Sequence, residues 1–279
     1  VVVTSRTFLA SASSIVSVGA KPVFSDVDRN SQNITAEMVA QVLSPRVRAI
    51  VCVHLAGWPC DMDPIMELAK RHNLFVIEDC AQAHGARYKG RSVGSIGHIG
   101  AWSFCQDKIM TTGGEGGMVT TNDRKLWSHI WSLKDHGKKW ESVYETAHPQ
   151  GYRWLHDSFG TNWRMTEMQA TIGRIQLTRM SQWSAKRLAN AHAIWDSAQK
   201  LRGLRVPDLS CHSCQNDGDR CLCIHAAYKC YIFVEGDEGD RNAIAALINK
   251  EGVPCFSGSC SEVYLEKAFD NTKYRPKQR

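Results

Sequence analysis

Short apolar runs and segments with helical spacing alternate through the first two-thirds of this chain, and few folds accept that order. Residues 1–3, 22–26, 47–54, 74–78, 99–104 and 118–121 read as strands. Between them, residues 10–18 read as a small-residue helix, 35–43 as an amphipathic helix and 62–73 as a third helix. Thr35 stands where a helix cap is expected, and Asp61 and Asp63 open the third helix. Strands that alternate with helices imply crossover connections, hence a mostly parallel sheet covered on both faces: an α/β fold. From residue 166 to 201 the pattern turns helical, and Met168, Ile172, Ile175, Leu177 and Met180 supply its apolar positions. A polar, cysteine-rich stretch at 206–223 follows, then a strand at 228–234 and a helix at 241–251. That tail reads as a smaller unit, with no internal repeat anywhere.

Composition narrows the function classes. With 43% hydrophobic and 22% charged residues in 279, the chain can bury an ordinary core. Its apolar runs are too short to cross a bilayer, and no leader-like segment opens it, so no membrane partner is expected. The net charge of +6 is spread along the chain without a basic block; this favours anionic small molecules over nucleic acid. Eleven cysteines are too sparse for a disulfide scaffold and fit reduced thiols in the cytoplasm.

Ligands in open α/β sheets bind beyond the carboxyl ends of the strands. Asp79 ends the 74–78 run, where it is either a helix cap or a site carboxylate. Gln82, His84 and Gly85 follow it, and Ser103 and Lys108 follow the next apolar strand, ahead of a turn at 113–117 that is glycine except for Glu115. The order excludes a phosphate loop, whose lysine follows its glycines, and no dinucleotide fingerprint is present. A lysine that forms a Schiff base, with a carboxylate to protonate the ring opposite, is what pyridoxal phosphate (PLP) chemistry requires.

The sequences Glu78-Asp79-Cys80-Ala81-Gln82-Ala83-His84-Gly85-Ala86, Trp102-Ser103-Phe104 with Lys108, Gly113 to Gly117, and Gly160-Thr161-Asn162-Trp163-Arg164-Met165 carry a resemblance. Together with Thr7-Phe8, Val53-His54 and Gly57, they resemble the DegT/DnrJ/EryC1/StrS family of sugar-nucleotide aminotransferases. The match is nearly continuous over residues 1–182 and looser in the tail. It implies a three-layer, mostly parallel PLP domain of fold type I over residues 1–182, a connecting helix at 183–202, and a partial, smaller α+β domain at 203–279. It also implies that the chain is an internal segment of a longer aminotransferase.

The resemblance further implies roles. Lys108 would bind C4′ of pyridoxal 5′-phosphate and shuttle the proton, Asp79 would pair with the ring nitrogen, and Gln82 would lie near the 3′-oxygen. Phe8 would stack on the ring, Ser103 would bind the phosphate, and Asn162 would reach the neighbouring subunit's phosphate, making the site a property of a homodimer. An amino acid, glutamate, would donate nitrogen to a keto-sugar nucleotide, in the biosynthesis of amino sugars for polysaccharides. The alternatives are a sugar dehydratase of the same fold, which would carry histidine in place of Lys108, and a silent regulatory relative. On residue type alone, Phe8 also fits a core position, Asn162 a turn and His84 a hydrogen-bonded buried ring.

Two stretches stand apart from these roles. Residues 138–153, rich in Trp, Tyr and His, read equally as a substrate-entrance loop and as a polar loop. Cys211, Cys214, Cys221 and Cys223, flanked by His212 and His225, give one pair at zinc-ligand spacing and a second pair tight for a tetrahedral site. The favoured reading is a reduced surface insertion, and no metal is assigned.

Overall fold

Six short strands align into one sheet in the computed structural model, which describes residues 1–209, 211, 214, 221–258 and 260–276. In chain order the elements are β1 (Val2–Thr4), α1 (Leu9–Ser17), β2 (Val23–Ser25), α2 (Ala36–Val42), β3 (Ala49–Val53), α3 (Met62–Arg71) and β4 (Phe75–Asp79). A small hairpin, β5 (Arg87–Tyr88) and β6 (Arg91–Ser92), precedes β7 (Ile99–Ser103) and β8 (Gly117–Thr120). The sheet order is β2-β1-β3-β4-β7-β8, parallel except for β8. From β1 the chain moves outward to β2, then crosses back over β1 to β3. The connection therefore changes direction between β1 and β3, and the carboxyl ends of strands beside such a point form a crevice.

Strand alternation divides the core into two layers. Val2, Ile50, Cys52 and Val76 point to one face, against Val39 of α2 and Met62, Ile65, Leu68 and Ala69 of α3. Those four α3 positions recur on one helical face. Val3, Val51 and Val53 point the other way, against Ala12 and Ile15 of α1 and against Val263 and Phe269 from the tail. Each fully buried Ile or Val on these strands contributes about 1.5–3 kcal/mol. Helices on both faces of a mostly parallel sheet make the α/β fold expected from the alternation.

Glu78 departs from the apolar pattern. It sits on the Val76 face with no exposed surface, where a carboxylate needs several donors. Its Oε1 accepts the backbone N–H groups of Ile96 (2.8 Å) and Gly97 (2.6 Å). Its Oε2 accepts Gly94 N–H (2.8 Å) and His54 Nε2 (3.1 Å). His54 Nδ1 accepts Cys60 N–H at 3.0 Å, so the ring proton sits on Nε2, facing the carboxylate. The loop before β7 is thereby pulled flat onto the sheet. Gly100 permits this, since a Cβ there would lie 2.6 Å from Gly94 Cα and 2.5 Å from Thr120 Oγ1.

Sequence reading assigns no helix or strand between residues 121 and 166, but two helices stand there: α4 (Arg124–Lys134), capped by Asp123, and α5 (Trp140–Tyr144). Trp140 packs edge-on to Trp127 and Trp131, with ring centroids 5.3 Å apart in both pairs. Part of the 138–153 stretch is thus a helix docked on α4. Asp61 also differs from expectation. It stands at the α3 N-cap but makes no capping bond; its Oδ1 accepts the Tyr88 hydroxyl at 2.6 Å.

The helix α6 (Glu167–Ala198) opens with a capping box between Thr166 and Gln169. Its 32 residues give a rod about 48 Å long. Beyond it, β9 (Leu204–Arg205) pairs antiparallel with β10 (Phe233–Val234), and α7 (Glu238–Lys250) follows. The strand expected over 228–234 is regular only at its end.

Candidate active site

The carboxyl ends of β1, β3, β4 and β7 open into a cavity of about 1090 Å³. Thr7, Phe8 and Ser11 line it from the start of α1, Asp79 and Gln82 from the end of β4, and Ser103 and Lys108 from the end of β7 and the loop after it. Asp79 pairs with Ala101 across the strands, and Ser103 lies two residues beyond Ala101 on the same face. Period-two alternation alone therefore aims both side chains into the crevice, while Glu78, one residue away, points into the opposite layer.

Asp79 is held from both sides. Its Oδ2 accepts the Ser11 hydroxyl at 2.7 Å, and Oδ1 accepts Ala81 N–H at 3.1 Å. Ser11 in turn lies 2.7 Å from the Thr7 hydroxyl, which ties the carboxylate to the first turn of α1. Gln82 Oε1 accepts Ala56 N–H at 2.8 Å, and its amide nitrogen meets only a weak acceptor, Cys260 Sγ at 3.6 Å. Phe8 is 67% exposed although it precedes a buried helix, so it presents an open ring face to the cavity. The Ser103 hydroxyl accepts one long bond, 3.4 Å from Cys105 N–H.

Lys108 lies on a loop held by α6. Gln176 Oε1 accepts Thr111 N–H at 3.0 Å, and Gln169 donates to the Glu115 carbonyl at 2.5 Å. Lys108 Nζ is 3.9 Å from Asp107 Oδ1 and sits over the Tyr228 ring, 5.2 Å from its centroid. Tyr228 closes this arrangement by donating to Asp107 Oδ2 at 3.3 Å. Asp107 also accepts the Cys105 thiol at 2.8 Å; that bond, with the nearby Lys108 charge, holds its carboxyl below the usual range. Burial pushes the Tyr228 phenol up.

Nothing in the sequence marks Tyr228 as part of this site, because the contacts that bring it here are made by backbone. Ala56 carbonyl accepts Tyr228 N–H (3.0 Å), and Gly57 carbonyl accepts Ala226 N–H (2.9 Å). From the other side, Arg187 of α6 donates to Ala227 carbonyl at 3.2 Å, and Trp195 donates to Tyr231 carbonyl at 3.0 Å. One end of α6 positions the Lys108 loop, and further along the same helix holds the Tyr228 segment.

Two further motif residues lie outside the cavity lining. Asn162 does not line the cavity. It bridges Asp135, and its Oδ1 accepts Arg164 Nε–H at 3.0 Å. His84 is buried between Trp102 and Phe104, with ring centroids 5.4 and 5.9 Å away, and neither nitrogen has a hydrogen-bond partner. Burial first, and the Lys108 charge as well, lower its pKa to about 4 against a weaker opposing pull from the Ser103 backbone.

The DegT/DnrJ/EryC1/StrS aminotransferase family profile matches residues 1–279, the tail included. The chain belongs to this family. It is 42% identical over 187 residues to GDP-perosamine synthase of Escherichia coli O157:H7, covering 67% of this chain and 48% of that protein. Against dTDP-3-amino-3,4,6-trideoxy-alpha-D-glucose transaminase of Streptomyces venezuelae it is 36% identical over 207 residues, covering 74% and 52%. The chain thus spans about half the length of these curated relatives. The solved aminotransferase from Psychrobacter cryohalolentis superposes with a TM-score of 0.93 at 64% identity, over 100% of this chain and 71% of that one. The fold is that of the fold type I, PLP-dependent aminotransferases, and the family implies this cofactor.

The residues present fit pyridoxal phosphate. A primary amine, a carboxylate fixed by two donors, a hydroxyl with a free proton and an open aromatic face share one cavity. That donor set would suit the cofactor's aldehyde, ring nitrogen, phosphate and ring face in turn.

Proposed function

We propose that this site transfers an amino group from an amino acid, glutamate, to a keto-sugar nucleotide, in amino-sugar and polysaccharide biosynthesis. The observation that carries the reading is the placement of Asp79 at the end of β4 and Lys108 on the loop after neighbouring β7, facing one cavity with Ser103 and Phe8. When bound, pyridoxal phosphate supplies an electrophilic carbon and an electron-accepting ring. Asp79, oriented by Ser11 and Ala81, would hold the proton on the ring nitrogen. Lys108 would take the proton from the donor's α-carbon and return it at C4′, working from its position over Tyr228. Ser103 would donate to the phosphate, Phe8 would cover one ring face, and Gln82 would exchange its weak thiol contact for the 3′-oxygen. The cavity volume accommodates a nucleotide sugar beside the cofactor, and the names of the two curated relatives support that substrate class.

A homodimer is part of this proposal. Met168, Ile172 and Ile175 recur on one exposed face of α6, close in sequence to exposed Tyr152, Trp154, Phe159 and Trp163. Apolar surface of this kind supports an interface, and Asn162, within the same stretch, would serve the partner's site. The eleven cysteines are free thiols, which supports the cytoplasm as the compartment. Among the described residues, no helix is long and apolar enough to cross a membrane.

The test is spectroscopic and then catalytic. Cofactor-loaded protein should show a visible band distinct from free pyridoxal phosphate, and should aminate 3-keto or 4-keto nucleotide sugars only with an amino-acid donor. Lys108→Ala should lose both the band and the amination while still retaining the cofactor. A Lys108→Ala protein that keeps the band and the activity would overturn the assignment.

A further inference from the structure

We propose that Cys211, Cys214, Cys221 and Cys223 bind one zinc ion, a site separate from the cavity that holds Lys108. Their four Sγ atoms all lie within 4.8 Å of one another, and Cys214 Sγ is 4.0 Å from Cys223 Sγ. A tetrahedral ion with zinc–sulfur bonds of about 2.3 Å has sulfur–sulfur edges of about 3.8 Å, so the cluster must contract by only about 1 Å at most. All four cysteines are free thiols.

The second pair has one intervening residue, a spacing that looks too tight on the sequence, and the backbone resolves this. Residues 222–224 run antiparallel along the β5–β6 hairpin: Leu222 carbonyl accepts Gly90 N–H at 3.1 Å, and Ile224 exchanges bonds of 3.0 and 2.8 Å with Arg87. In an extended segment, side chains two apart share a face. Cys221 and Cys223 therefore point to the same side, and Leu222, 59% exposed, points away. In the first pair, Cys211 carbonyl accepts Cys214 N–H at 3.0 Å, and both thiols are buried in the core with Met62 and Tyr88.

The surroundings suit thiolates. Cys223 Sγ accepts Lys89 N–H at 3.3 Å, and Cys221 Sγ accepts Cys223 N–H at 3.5 Å. Such donors spread the charge that four thiolates concentrate around one dication. Four sulfurs this close enclose one ion; a two-iron cluster would hold its thiolate pairs farther apart. His225 stands outside the sulfur cluster: its Nδ1 accepts Ala227 N–H at 2.7 Å, and its ring packs at a tilt against Trp58 and Trp195. His212 lies outside the described residues. The ion would staple the cysteine-rich insertion to the β5–β6 hairpin, five residues before Tyr228 in the wall of the cavity.

Metal analysis of the purified protein tests this without reference to its activity. Wild-type protein, grown with zinc and kept reduced, should carry one zinc per chain and no iron. A mercurial thiol reagent should release that equivalent to a chromogenic chelator. Cobalt(II), exchanged for zinc, should give the strong visible bands of a tetrahedral thiolate site. Cys211→Ser/Cys214→Ser and Cys221→Ser/Cys223→Ser should each lose the metal, while Cys255→Ser keeps it. Because release and cobalt exchange use folded wild-type protein, a misfolded variant leaves the test intact. Substoichiometric zinc in the wild type, iron in its place, or zinc retained by either double variant would overturn the proposal.

Discussion

Replacing Glu78 by glutamine isolates what one buried carboxylate does beneath this site. The two side chains have nearly the same shape, so the change removes a charge and one acceptor without opening a cavity. If the new NH2 group takes the Oε1 position, it faces the N–H groups of Ile96 and Gly97. If it takes the Oε2 position, it faces Gly94 N–H and His54 Nε2–H. His54 cannot adapt by moving its proton to Nδ1, because that atom already accepts Cys60 N–H. Either orientation strands two buried donors. Hydrogen bonds to a charged acceptor contribute about 1.5–3 kcal/mol each, so Glu78→Gln should cost about 3–6 kcal/mol. That is a large share of the about 5–15 kcal/mol that holds a typical domain.

Burying a charge opposes this, and the balance has a visible sign. Burial raises the Glu78 pKa, but the bonds from His54, Gly94 and Gly97 outweigh it and leave the pKa below the ordinary glutamate value of 4.5. The folded protein therefore favours the carboxylate more than water does. A depressed folded pKa means that the stabilisation is present above pH 4.5 and is lost as pH falls through the folded value. Urea denaturation followed by tryptophan fluorescence, at several pH values from 7 to 4, would show the difference between wild type and Glu78→Gln largest at neutral pH and shrinking at the acid end. A variant within about 1 kcal/mol of wild type at pH 7, or a gap that widens in acid, would refute the reasoning.

Three other substitutions probe separate features. Burial lowers the pKa of His84 to about 4 and that of His225 to about 3, against 6.5 for a free ring; between those values the unfolded chain binds more protons, so stability should fall on acidification by about 1.4 kcal/mol per pH unit for each. His84→Phe should remove about half of that slope in the same denaturation series, and an unchanged slope would clear His84 of any part in it. Tyr228→Phe keeps the ring under Lys108 but drops the bond to Asp107, worth about 1 kcal/mol, so amination by cofactor-loaded protein should slow by about fivefold with cofactor binding unchanged. Thr166→Ala breaks the α6 capping box and should cost about 1 kcal/mol in a urea titration.

Legibility in the sequence followed how local the cause was. The strands at 74–78 and 99–104, and the placing of Asp79, Ser103 and Lys108 beyond them, rest on apolar runs and period-two alternation, which a short window contains. Glu78 was quoted only within a motif. Its burial depends on N–H groups of residues 94–97, and no side-chain pattern records where backbone donors will point. Helices α4 and α5 were missed for a related reason: their tryptophans pack mainly on one another, so no apolar stripe faces a core. On α6 the apolar positions Met168, Ile172 and Ile175 fall on an exposed face in this chain. Periodicity identifies an apolar face and leaves open what covers it.

The adjacent acids Glu78 and Asp79 show how the fold sets chemistry from register alone. Both end the same strand, and a one-residue slip of β4 against β3 and β7 would exchange their faces. Asp79 would then enter a layer where a shorter side chain could not reach the three N–H groups, and Glu78 would stand where Ser11 and Ala81 fix a shorter carboxylate. The slip would also place Ile77 in the α3 layer and turn Val76 toward α1. Because both faces of this strand are apolar, hydrophobic burial alone penalises the slip only weakly. The two carboxylates supply the discrimination that it lacks: each is satisfied in one register. The residue that positions loop 94–97 and the residue proposed to pair with the ring nitrogen thereby fix each other's place, and Glu78→Gln should loosen the orientation of Asp79 as well as the fold.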